Sequence, residues 1–383
     1  MKNINIAILG TGFMGKTHTY SVKNLPFYYE GGDFRAVLHT VYTRDEAKAK
    51  DFAERHGFLH YTNDLDKVIN DPEIDVVDIC TPNHCHYETL VKAISAGKHI
   101  LCEKPVVTNM EDAAKIEKLL RDNPEIIHRV VFNNRHLPAI MRAKQLFDEG
   151  KIGRVLTFRS AYLHSSVLNL EKNAGWKQTA QSGGGVLFDI GSHAIDLFLN
   201  ITSSDPSCRP RMITGQSQIA YPERKGMDGT VWKTDADEAF YMICTLKNGA
   251  VGTFEGSKVA QGTNDDLSIE IRGDKGALKF SLMEPNYLYW YDATKPEAAL
   301  GGERGYTAIE CVGRYDAPAT AFPSVKAPVG WLRGHVQNMY SFLEDVSAGR
   351  QSEPSIYHGL YINRIIDAAL RSDISGAREE IND

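Results

Sequence analysis

The sequence has no long hydrophobic run and no block of basic residues. Lysine and arginine number 43 against 49 aspartates and glutamates, so the formal net charge is −6 at neutral pH. A nucleic-acid-binding surface needs clustered positive charge to neutralise phosphates, and a membrane-spanning helix needs about 20 consecutive apolar residues. The sequence therefore predicts neither a nucleic-acid partner nor a membrane partner.

Cysteine is scarce as well. The six cysteines are too few for a disulfide framework in 383 residues, and several lie in apolar runs, where a thiol behaves as a small hydrophobic group. Residues 1–9 alternate polar with apolar types, which differs from the apolar core of a signal peptide. These observations predict a cytoplasmic protein in a reducing compartment.

Length and composition then indicate a folded protein of more than one domain. Hydrophobic residues make up 42% of the chain and charged residues 24%, which excludes extended disorder as the main feature. A single hydrophobic core usually stops growing below this length. We expect two domains.

The first third of the chain alternates short apolar segments with segments of helical periodicity. This alternation predicts βαβ units and a parallel sheet covered on both faces. The predicted strands are 4–9, 36–42, 76–81, 100–102 and 129–133, and predicted helices include 45–56, 87–96 and 110–120.

Beyond residue 152 the pattern changes to strands joined by Gly, Asn or Asp turns, which predicts a largely antiparallel sheet. The predicted strands are 155–162, 212–220, 238–246, 250–257, 267–272, 277–282 and 287–291. Helices are predicted at 185–199, 334–348 and 359–371, and residues 295–330 are predicted to form a surface excursion.

The predicted fold class is therefore α/β, with an N-terminal Rossmann parallel-sheet domain and a C-terminal α+β domain with a large, open, mostly antiparallel sheet. We expect the first domain at 1–135 and a substrate and oligomerisation domain at 136–383. This division allows the final helices to pack back on the first domain.

Residues 10–15 read GTGFMG, a G-x-G-x-x-G pattern that follows the first strand and opens a helix. In this context Gly10 permits a tight turn, Gly12 allows a pyrophosphate to approach the backbone, and the third glycine permits close helix packing. The pattern predicts a dinucleotide site that also includes Phe13 and Met14. The alternative is a tight turn with no ligand.

The end of the second strand bears on the choice between NAD and NADP. An acid at this point binds the ribose of NAD, whereas an arginine accommodates the 2′-phosphate of NADP. Here Thr43 stands at the expected position of the acid, and Arg44 follows. The sequence thus predicts NAD(P) as cofactor, with NADP slightly favoured over NAD. The alternative is that Arg44 is a solvated residue at the start of a helix and binds no phosphate.

Two polar segments, TPNHCH at 81–86 and CEKP at 102–105, follow predicted strands. Ligands of open α/β sheets bind beyond the carboxyl ends of strands. The side chains we expect at the cofactor are Thr81, Asn83, His86, Glu103 and Lys104. Zinc is an alternative for the Cys and His residues at 80–86, but no second pair completes a set of four ligands, so no metal is predicted.

These motifs together with a D-x-x-x-H helix at 189–193 resemble the glucose-fructose oxidoreductase/inositol dehydrogenase (Gfo/Idh/MocA) family, over essentially the whole chain. The segment 12–18 and Gly175-Trp176 resemble its levoglucosan and sugar dehydrogenase branch. The resemblance implies a nicotinamide cofactor, an N-terminal Rossmann domain and a C-terminal sheet used for assembly. We therefore expect a homo-oligomer, a dimer or a tetramer.

Asp189 and His193 are four residues apart and share one face of the predicted helix. Such a pair is often only a surface contact, but the resemblance implies that both converge with Lys104 at the nicotinamide. Oxidation of an alcohol needs a base for the hydroxyl proton and a cation for the developing alkoxide. We assign His193 as the base, Lys104 to the reacting oxygen, and Asp189 to tuning or relay; alternatively, Lys104 joins Glu103 on the cofactor ribose.

Substrate contacts are expected from Arg135, Tyr162, Trp176 and His193, with His136 and His335 as weaker candidates. An indole ring can pack on the C–H face of a sugar. The predicted function is an NAD(P)-dependent dehydrogenase acting on a secondary hydroxyl of a sugar, anhydrosugar or cyclitol. Two alternatives stay open: a redox-neutral glycoside-cleaving lyase with bound NAD, and a non-catalytic dinucleotide-dependent sensor.

Overall fold

A computed structural model describes residues 2–226 and 229–381 of the chain. The chain forms two compact units, each assembled from separate stretches of sequence. The first contains Met1–His136, Tyr315–Val325 and Gly330–Asn363, and the second contains Leu137–Arg314, Lys326–Val329 and Arg364–Asp383. The functional division expected at residues 135 and 136 stays a prediction, since the compact units interleave in the second half of the chain.

The first unit contains a six-stranded parallel sheet, which confirms the predicted Rossmann arrangement. The strand order is β3-β2-β1-β4-β5-β6, so the order reverses between β1 and β4. Strand β1 lies in the middle of this sheet. Both faces of a parallel sheet are covered by other elements, which suits the apolar run of β1, and its Ile4, Ile6 and Ile8 are fully buried. The strands are β1 Lys2–Leu9, β2 Phe34–Tyr42, β3 His60–Thr62, β4 Val76–Ile79, β5 His99–Cys102 and β6 His128–Val130.

Local capping explains where several helices begin. Asp45 accepts a hydrogen bond from the backbone of Lys48, and Asn109 accepts one from Asp112, so each satisfies an amide of the first helical turn. The helices are α1 Phe13–Tyr28, α2 Glu46–His56, α3 Leu65–Ile69, α4 His86–Ser95, α5 Met110–Asp122, α6 Pro138–Asp148, α7 Ser192–Ile201, α8 Trp331–Ala348 and α9 Ile356–Ser375.

The second unit contains a nine-stranded mixed sheet, in the order β16-β15-β14-β13-β7-β12-β11-β8-β17. Its pairings are antiparallel except between β7 and β12, which run parallel. The large, mostly antiparallel sheet is the predicted one. The strands of this unit are β7 Val155–Leu163, β8 Pro210–Gln218, β9 Glu223–Lys225, β10 Val231–Lys233, β11 Ala239–Leu246, β12 Val251–Ser257, β13 Asp266–Gly273, β14 Gly276–Ser281, β15 Tyr287–Asp292, β16 Tyr306–Glu310 and β17 Glu379–Glu380.

Two sequence predictions are corrected. Residues 295–330 are not one surface excursion, because Tyr306–Glu310 pairs with β15 and Tyr315–Val325 belongs to the first unit. The helix predicted at 185–199 begins with a π-helical turn, Leu187–Gly191, before α7 continues it. Helix α7 lies on the sheet, where Phe198 stacks on Phe158 with ring centroids 4.0 Å apart.

The first unit takes its core from both ends of the chain. Val336, Phe342 and Leu343 of α8 are buried in one cluster with Ile6 and Ile8 of β1. No helix in the described ranges is both long enough and apolar enough to cross a membrane.

Candidate active site

The glycine loop between β1 and α1 has the geometry that the sequence pattern predicts. Gly10 has a φ of +111°, and a Cβ there would lie 2.7 Å from the carbonyl oxygen of Cys80. A Cβ on Gly15 would lie 2.0 Å from the carbonyl oxygen of Gly10, whereas one on Gly12 would meet nothing within 4 Å. Gly12 therefore borders open space at the N-terminus of α1, where backbone amides and the helix dipole favour a phosphate.

The two residues inside the glycine pattern differ in exposure. The Phe13 ring is 71% exposed and stacks on Trp331, with ring centroids 5.5 Å apart. Met14 is partly buried. Their predicted contacts with the cofactor stay predictions.

The end of β2 carries an exposed cation, followed by an acid that caps the next helix. Arg44 is exposed, and Thr43 before it is partly buried. The next acid, Asp45, accepts the backbone hydrogen bond of Lys48 as the cap of α2. One oxygen of its carboxylate, Oδ1, thus holds the helix start.

His86 has a supporting position in the first unit. The side chain is fully buried, with Nδ1 2.8 Å from the carbonyl oxygen of Pro105 and Nε2 2.9 Å from that of Thr81. Burial lowers the pKa of His86. The ring therefore links the polar segments after β4 and β5, and Asn83 lies buried in the turn between β4 and α4.

The EKP segment carries Glu103, which is buried, and Lys104, which is partly exposed. Glu103 meets His18 of α1, a residue that the sequence analysis did not assign to the site. A ring nitrogen of His18, a carboxylate oxygen of Asp78 and the thiol of Cys80, each of a type that can bind a metal, also lie within 4.8 Å of one another. Of this group only Cys80 belonged to the zinc alternative considered from the sequence.

In the second unit, Asp189 lies in the π-helical turn and contacts two lysines. Lys258 Nζ is 2.9 Å from Asp189 Oδ2, and Lys177 Nζ is 3.0 Å from the same oxygen. The Lys258 side chain is 6% exposed and that of Lys177 is 49% exposed. Solvent therefore screens the pair with Lys258 less than the pair with Lys177.

His193 follows in the first turn of α7 and packs against Tyr162 of β7. Their rings meet edge to face, with centroids 5.7 Å apart. The Tyr162 hydroxyl donates to Asp265 at 2.7 Å, and His164 Nε2 lies 2.9 Å from the same carboxylate oxygen. Burial raises the pKa of Asp265, but His164, Tyr162 and the charge of His193 outweigh it, so the net shift is downward.

Besides the exposed Lys177, three of these residues were missed by the sequence analysis: His164, Lys258 and Asp265. Each lies next to a strand end, after β7, after β12 and before β13, respectively. Strand β12 runs parallel to β7 and β13 antiparallel, so Leu163 pairs with both Ser257 and Asp266. All three ends meet at one edge of the sheet, a juxtaposition that the sequence does not reveal.

The structure thus divides the predicted side chains between the units. Asp189, His193 and Tyr162 lie together in the second unit. Lys177, which pairs with Asp189, also connects Trp176 to this group, because its Nζ lies 5.7 Å from the Trp176 ring centroid. The first unit holds the glycine loop, the strand-end segments and Arg135. Arg135 is buried, with Nη2 2.6 Å from His358 Nε2.

The parallel Rossmann sheet and the open glycine loop are the features of a dinucleotide-binding domain, and the matching family model describes an oxidoreductase family with an NAD-binding Rossmann fold. The chain belongs to the GFO/IDH/MocA oxidoreductase family: residues 4–130 match the NAD-binding Rossmann-fold domain and residues 140–279 match a C-terminal domain. This confirms the family resemblance.

Individual proteins match over the whole chain. Levoglucosan dehydrogenase of Pseudarthrobacter phenanthrenivorans is 30% identical, with 97% of this chain and 96% of that protein covered. An uncharacterised oxidoreductase of Schizosaccharomyces pombe is 32% identical, with 98% and 99% covered. A solved structure of levoglucosan dehydrogenase with NADH and levoglucosan has a TM-score of 0.90 at 28% identity and covers 100% of both chains.

Proposed function

We propose that this protein transfers hydride between a nicotinamide cofactor and a secondary hydroxyl of a sugar, anhydrosugar or cyclitol. The observation that carries the proposal is the polar cluster of the second unit. His193 packs against Tyr162, whose hydroxyl donates to Asp265, and Asp189, four residues before His193, pairs with Lys258. The glycine loop fits the cofactor, because the position of Gly12 leaves room at a helix N-terminus for a pyrophosphate.

In the proposed reaction the nicotinamide supplies the hydride acceptor. His193 receives the hydroxyl proton, which a neutral imidazole can do near pH 7. The ammonium group of Lys104 donates a hydrogen bond to the reacting oxygen and stabilises its developing negative charge. Asp189, whose charge Lys258 compensates, tunes or relays the proton transfer.

The substrate class rests on the kind of side chains in the cluster and on the relatives. Sugars need several fixed donors and acceptors together with an apolar surface, and Trp176, His164 and Asp265 are of these types. The similar structures include levoglucosan dehydrogenase with levoglucosan and with L-sorbose, and D-xylose dehydrogenase of Paenarthrobacter nicotinovorans is 26% identical.

The test is a panel of levoglucosan, D-xylose and myo-inositol, assayed at 340 nm with NAD and with NADP. Accumulation of reduced cofactor supports the dehydrogenase. Cleavage of a glycoside without free reduced cofactor favours the lyase, and tight NADH binding without any turnover favours the sensor.

The assigned base is tested by His193→Ala on the best substrate of that panel. Loss of a positioned acid–base group typically lowers kcat by about 10² to 10⁴-fold, and the NADH dissociation constant should change little. His60→Ala, at an exposed position of β3, is the control and should keep wild-type kcat. A His193→Ala enzyme with wild-type kcat would move the catalytic role to Lys104 alone.

We also propose a modest preference for NADP. The exposed Arg44 follows Thr43, and the neighbouring carboxylate of Asp45 is engaged as a helix cap. A guanidinium gains charge-assisted hydrogen bonds to a 2′-phosphate that NAD does not carry. Arg44→Ala should lower kcat/KM for NADP while leaving that for NAD nearly unchanged, and an unchanged cofactor ratio would contradict the proposal.

Assembly through the nine-stranded sheet is a further part of the proposal. Its outer face presents Tyr241, Ile243 and Val251, which are 45%, 56% and 48% exposed. Burying such apolar side chains between two copies is favourable. Ile243→Lys should convert a dimer or tetramer to a smaller species in light scattering, and an unchanged mass would argue against this face.

The cysteines support the proposed cytoplasmic location. All six are free thiols in the structure, which suits a reducing compartment. Fractionation of the source cells would test it.

A further inference from the structure

A buried charged cluster joins three elements of the first unit: helix α1, strand β4 and the segment that follows β5. His18 projects from α1, Asp78 from β4, and Glu103 follows β5. Nδ1 of His18 is 2.9 Å from both carboxylate oxygens of Asp78, and Nε2 is 3.1 Å from Oε1 of Glu103. His18 and Asp78 are 1% and 0% exposed.

The hydrogen bonds define the protonation state of the cluster. An ionised carboxylate only accepts hydrogen bonds, so two ionised carboxylates on opposite sides of the His18 ring require both ring nitrogens to donate, which is the imidazolium form. Burial lowers the pKa of His18, but the charge of Asp78 and its hydrogen bond, together with the hydrogen bond of Cys80, outweigh this effect and raise it well above 6.5. Burial likewise opposes ionisation of Glu103, yet His18 and then Lys104 lower its pKa to about 2.

Other groups around the ring are compatible with this state. Cys80 Sγ lies 3.2 Å from Nδ1, and the ring of His335 on α8 is tilted against His18 with centroids 5.9 Å apart. Replacing the imidazolium by a neutral group would leave two buried carboxylates without the cation between them. A buried charge that loses its partner is strongly unfavourable, so the Glu103 carboxylate would move toward solvent.

The place of Glu103 in the sheet connects this cluster to the cofactor. A dinucleotide lies across the crevice where the strand order reverses, here between β1 and β4. The pyrophosphate meets the loop after β1, so one nucleoside extends over β2 and β3 and the other over β4 and β5. The adenosine ribose lies at the end of β2. Glu103 and Lys104, directly after β5, therefore lie on the nicotinamide side.

We propose that His18 is a positioning residue for the nicotinamide half of the dinucleotide. Its imidazolium, fixed on Asp78, holds the carboxylate of Glu103 and thereby the EKP segment in the arrangement that binds the nicotinamide ribose. The same histidine joins that segment to α1, the helix whose N-terminus receives the pyrophosphate. The inference rests on the proposed use of a dinucleotide, and it adds His18 to the residues that position this cofactor.

Binding of two ligands separates positioning from folding. ADP reports on the pyrophosphate and adenosine half, whereas NADH also reports on the nicotinamide half. His18→Gln removes the charge while keeping one donor, and should weaken NADH binding about tenfold, a loss of the size expected for one hydrogen bond to a charged group. Its ADP affinity should equal that of the wild type.

The control is His39→Gln. His39 is equally buried in the same unit, but its Nδ1 contacts Thr40 on β2. This variant should keep the wild-type ratio of the two affinities. If His18→Gln does not fold, Asp78→Asn, which weakens the anchor of the ring, should show the same selective loss for NADH.

A double-mutant cycle identifies the route of the effect. If His18 acts through Glu103, His18→Gln combined with Glu103→Gln should bind NADH no more weakly than Glu103→Gln alone. Additive losses, or an unchanged ratio of NADH to ADP affinity in the folded His18 and Asp78 variants, would overturn the proposal. Stoichiometric zinc in the purified wild type would overturn it too, because a metal on His18, Asp78 and Cys80 would replace the imidazolium.

These outcomes remain distinct from those of the sugar panel. A wild type that binds NADH but oxidises no sugar defeats the proposed substrate class and still allows the affinity ratio to be measured. A wild type that oxidises sugars, with an affinity ratio insensitive to His18, defeats only the inference.

Discussion

Replacing Gly12 by alanine tests the dinucleotide site with the smallest possible change. A Cβ at this position meets nothing within 4 Å, and the residue has a φ of −73°, which alanine adopts readily. The added methyl group would therefore occupy only the space into which a pyrophosphate must come. Gly15 is the contrasting position, because a Cβ there would lie 2.0 Å from the carbonyl oxygen of Gly10.

The expected magnitudes follow from these distances. Alanine is a poorer helix cap than glycine by about 0.5–1 kcal/mol, but it restricts the unfolded chain by about 0.4–1 kcal/mol, so Gly12→Ala should leave stability nearly unchanged. Losing even one hydrogen bond to a charged phosphate costs about 1.5–3 kcal/mol, which corresponds to about 10 to 100-fold in affinity. Gly15→Ala should instead destabilise by about 3 kcal/mol through forced backbone movement.

The assay pairs NADH titration by fluorescence with thermal unfolding. Gly32→Ala is the control, because its Cβ also meets nothing within 4 Å but lies outside the glycine loop. Gly12→Ala should keep the wild-type Tm and lose affinity, and Gly32→Ala should change neither. If Gly12→Ala bound NADH like the wild type, the dinucleotide would not lie at this helix N-terminus, and the site would have to be placed elsewhere.

Two further predictions concern the second unit. Lys258→Met should lower the unfolding free energy by about 3 kcal/mol, since it leaves Asp189 without its buried partner. Lys177→Met removes an exposed pair and should lower it by less than about 1 kcal/mol. Equal shifts in Tm would contradict the difference in burial. Tyr162→Phe removes the hydrogen bond to Asp265 and should destabilise by about 1 kcal/mol while raising the KM for sugar more than it lowers kcat, a split that steady-state kinetics measures.

The first unit was predicted well because its evidence is local. The apolar strand before Gly10 and the helix after Gly12 are adjacent in sequence, so spacing alone defines the loop and its chemistry. The carboxyl ends of parallel strands meet at one edge of a sheet, which placed the segments around Asn83 and Glu103 correctly at strand ends. What these segments pack against was not predicted, since His18 reads as one polar residue on a helix.

The second unit was predicted less completely because its site depends on strand order. Asp189 and His193 share one face of one helix and were singled out by the family resemblance, whereas the strand ends beside Lys258 and Asp265 become neighbours because β7 lies between β12 and β13. Such pairing between distant segments leaves no trace in local periodicity. The π-helical turn around Asp189 escaped prediction for a related reason, because hydrophobic spacing does not separate it from an α-helix over five residues.

His128 provides a prediction about acid stability that is independent of the active site. Its side chain is buried, and Nδ1 accepts a hydrogen bond of 3.1 Å from the backbone of Ile356, which requires a neutral ring at that nitrogen. Burial lowers the pKa of His128 to about 4 in the folded protein. The unfolded chain, with an ordinary pKa of about 6.5, therefore binds more protons between these values.

The sign of the effect follows from this difference. The stabilisation is fully present above pH 6.5 and is lost as the pH falls toward 4, by about 3 kcal/mol at about 1.4 kcal/mol per pKa unit. His128→Gln has no group that titrates here, so between pH 7 and pH 4.5 its Tm should fall by clearly less than that of the wild type. Other acid-sensitive groups are shared by the two proteins and cancel in the comparison. Equal decreases would mean that His128 becomes protonated without opposing the fold, in which case the hydrogen bond to Ile356 does not hold the ring neutral.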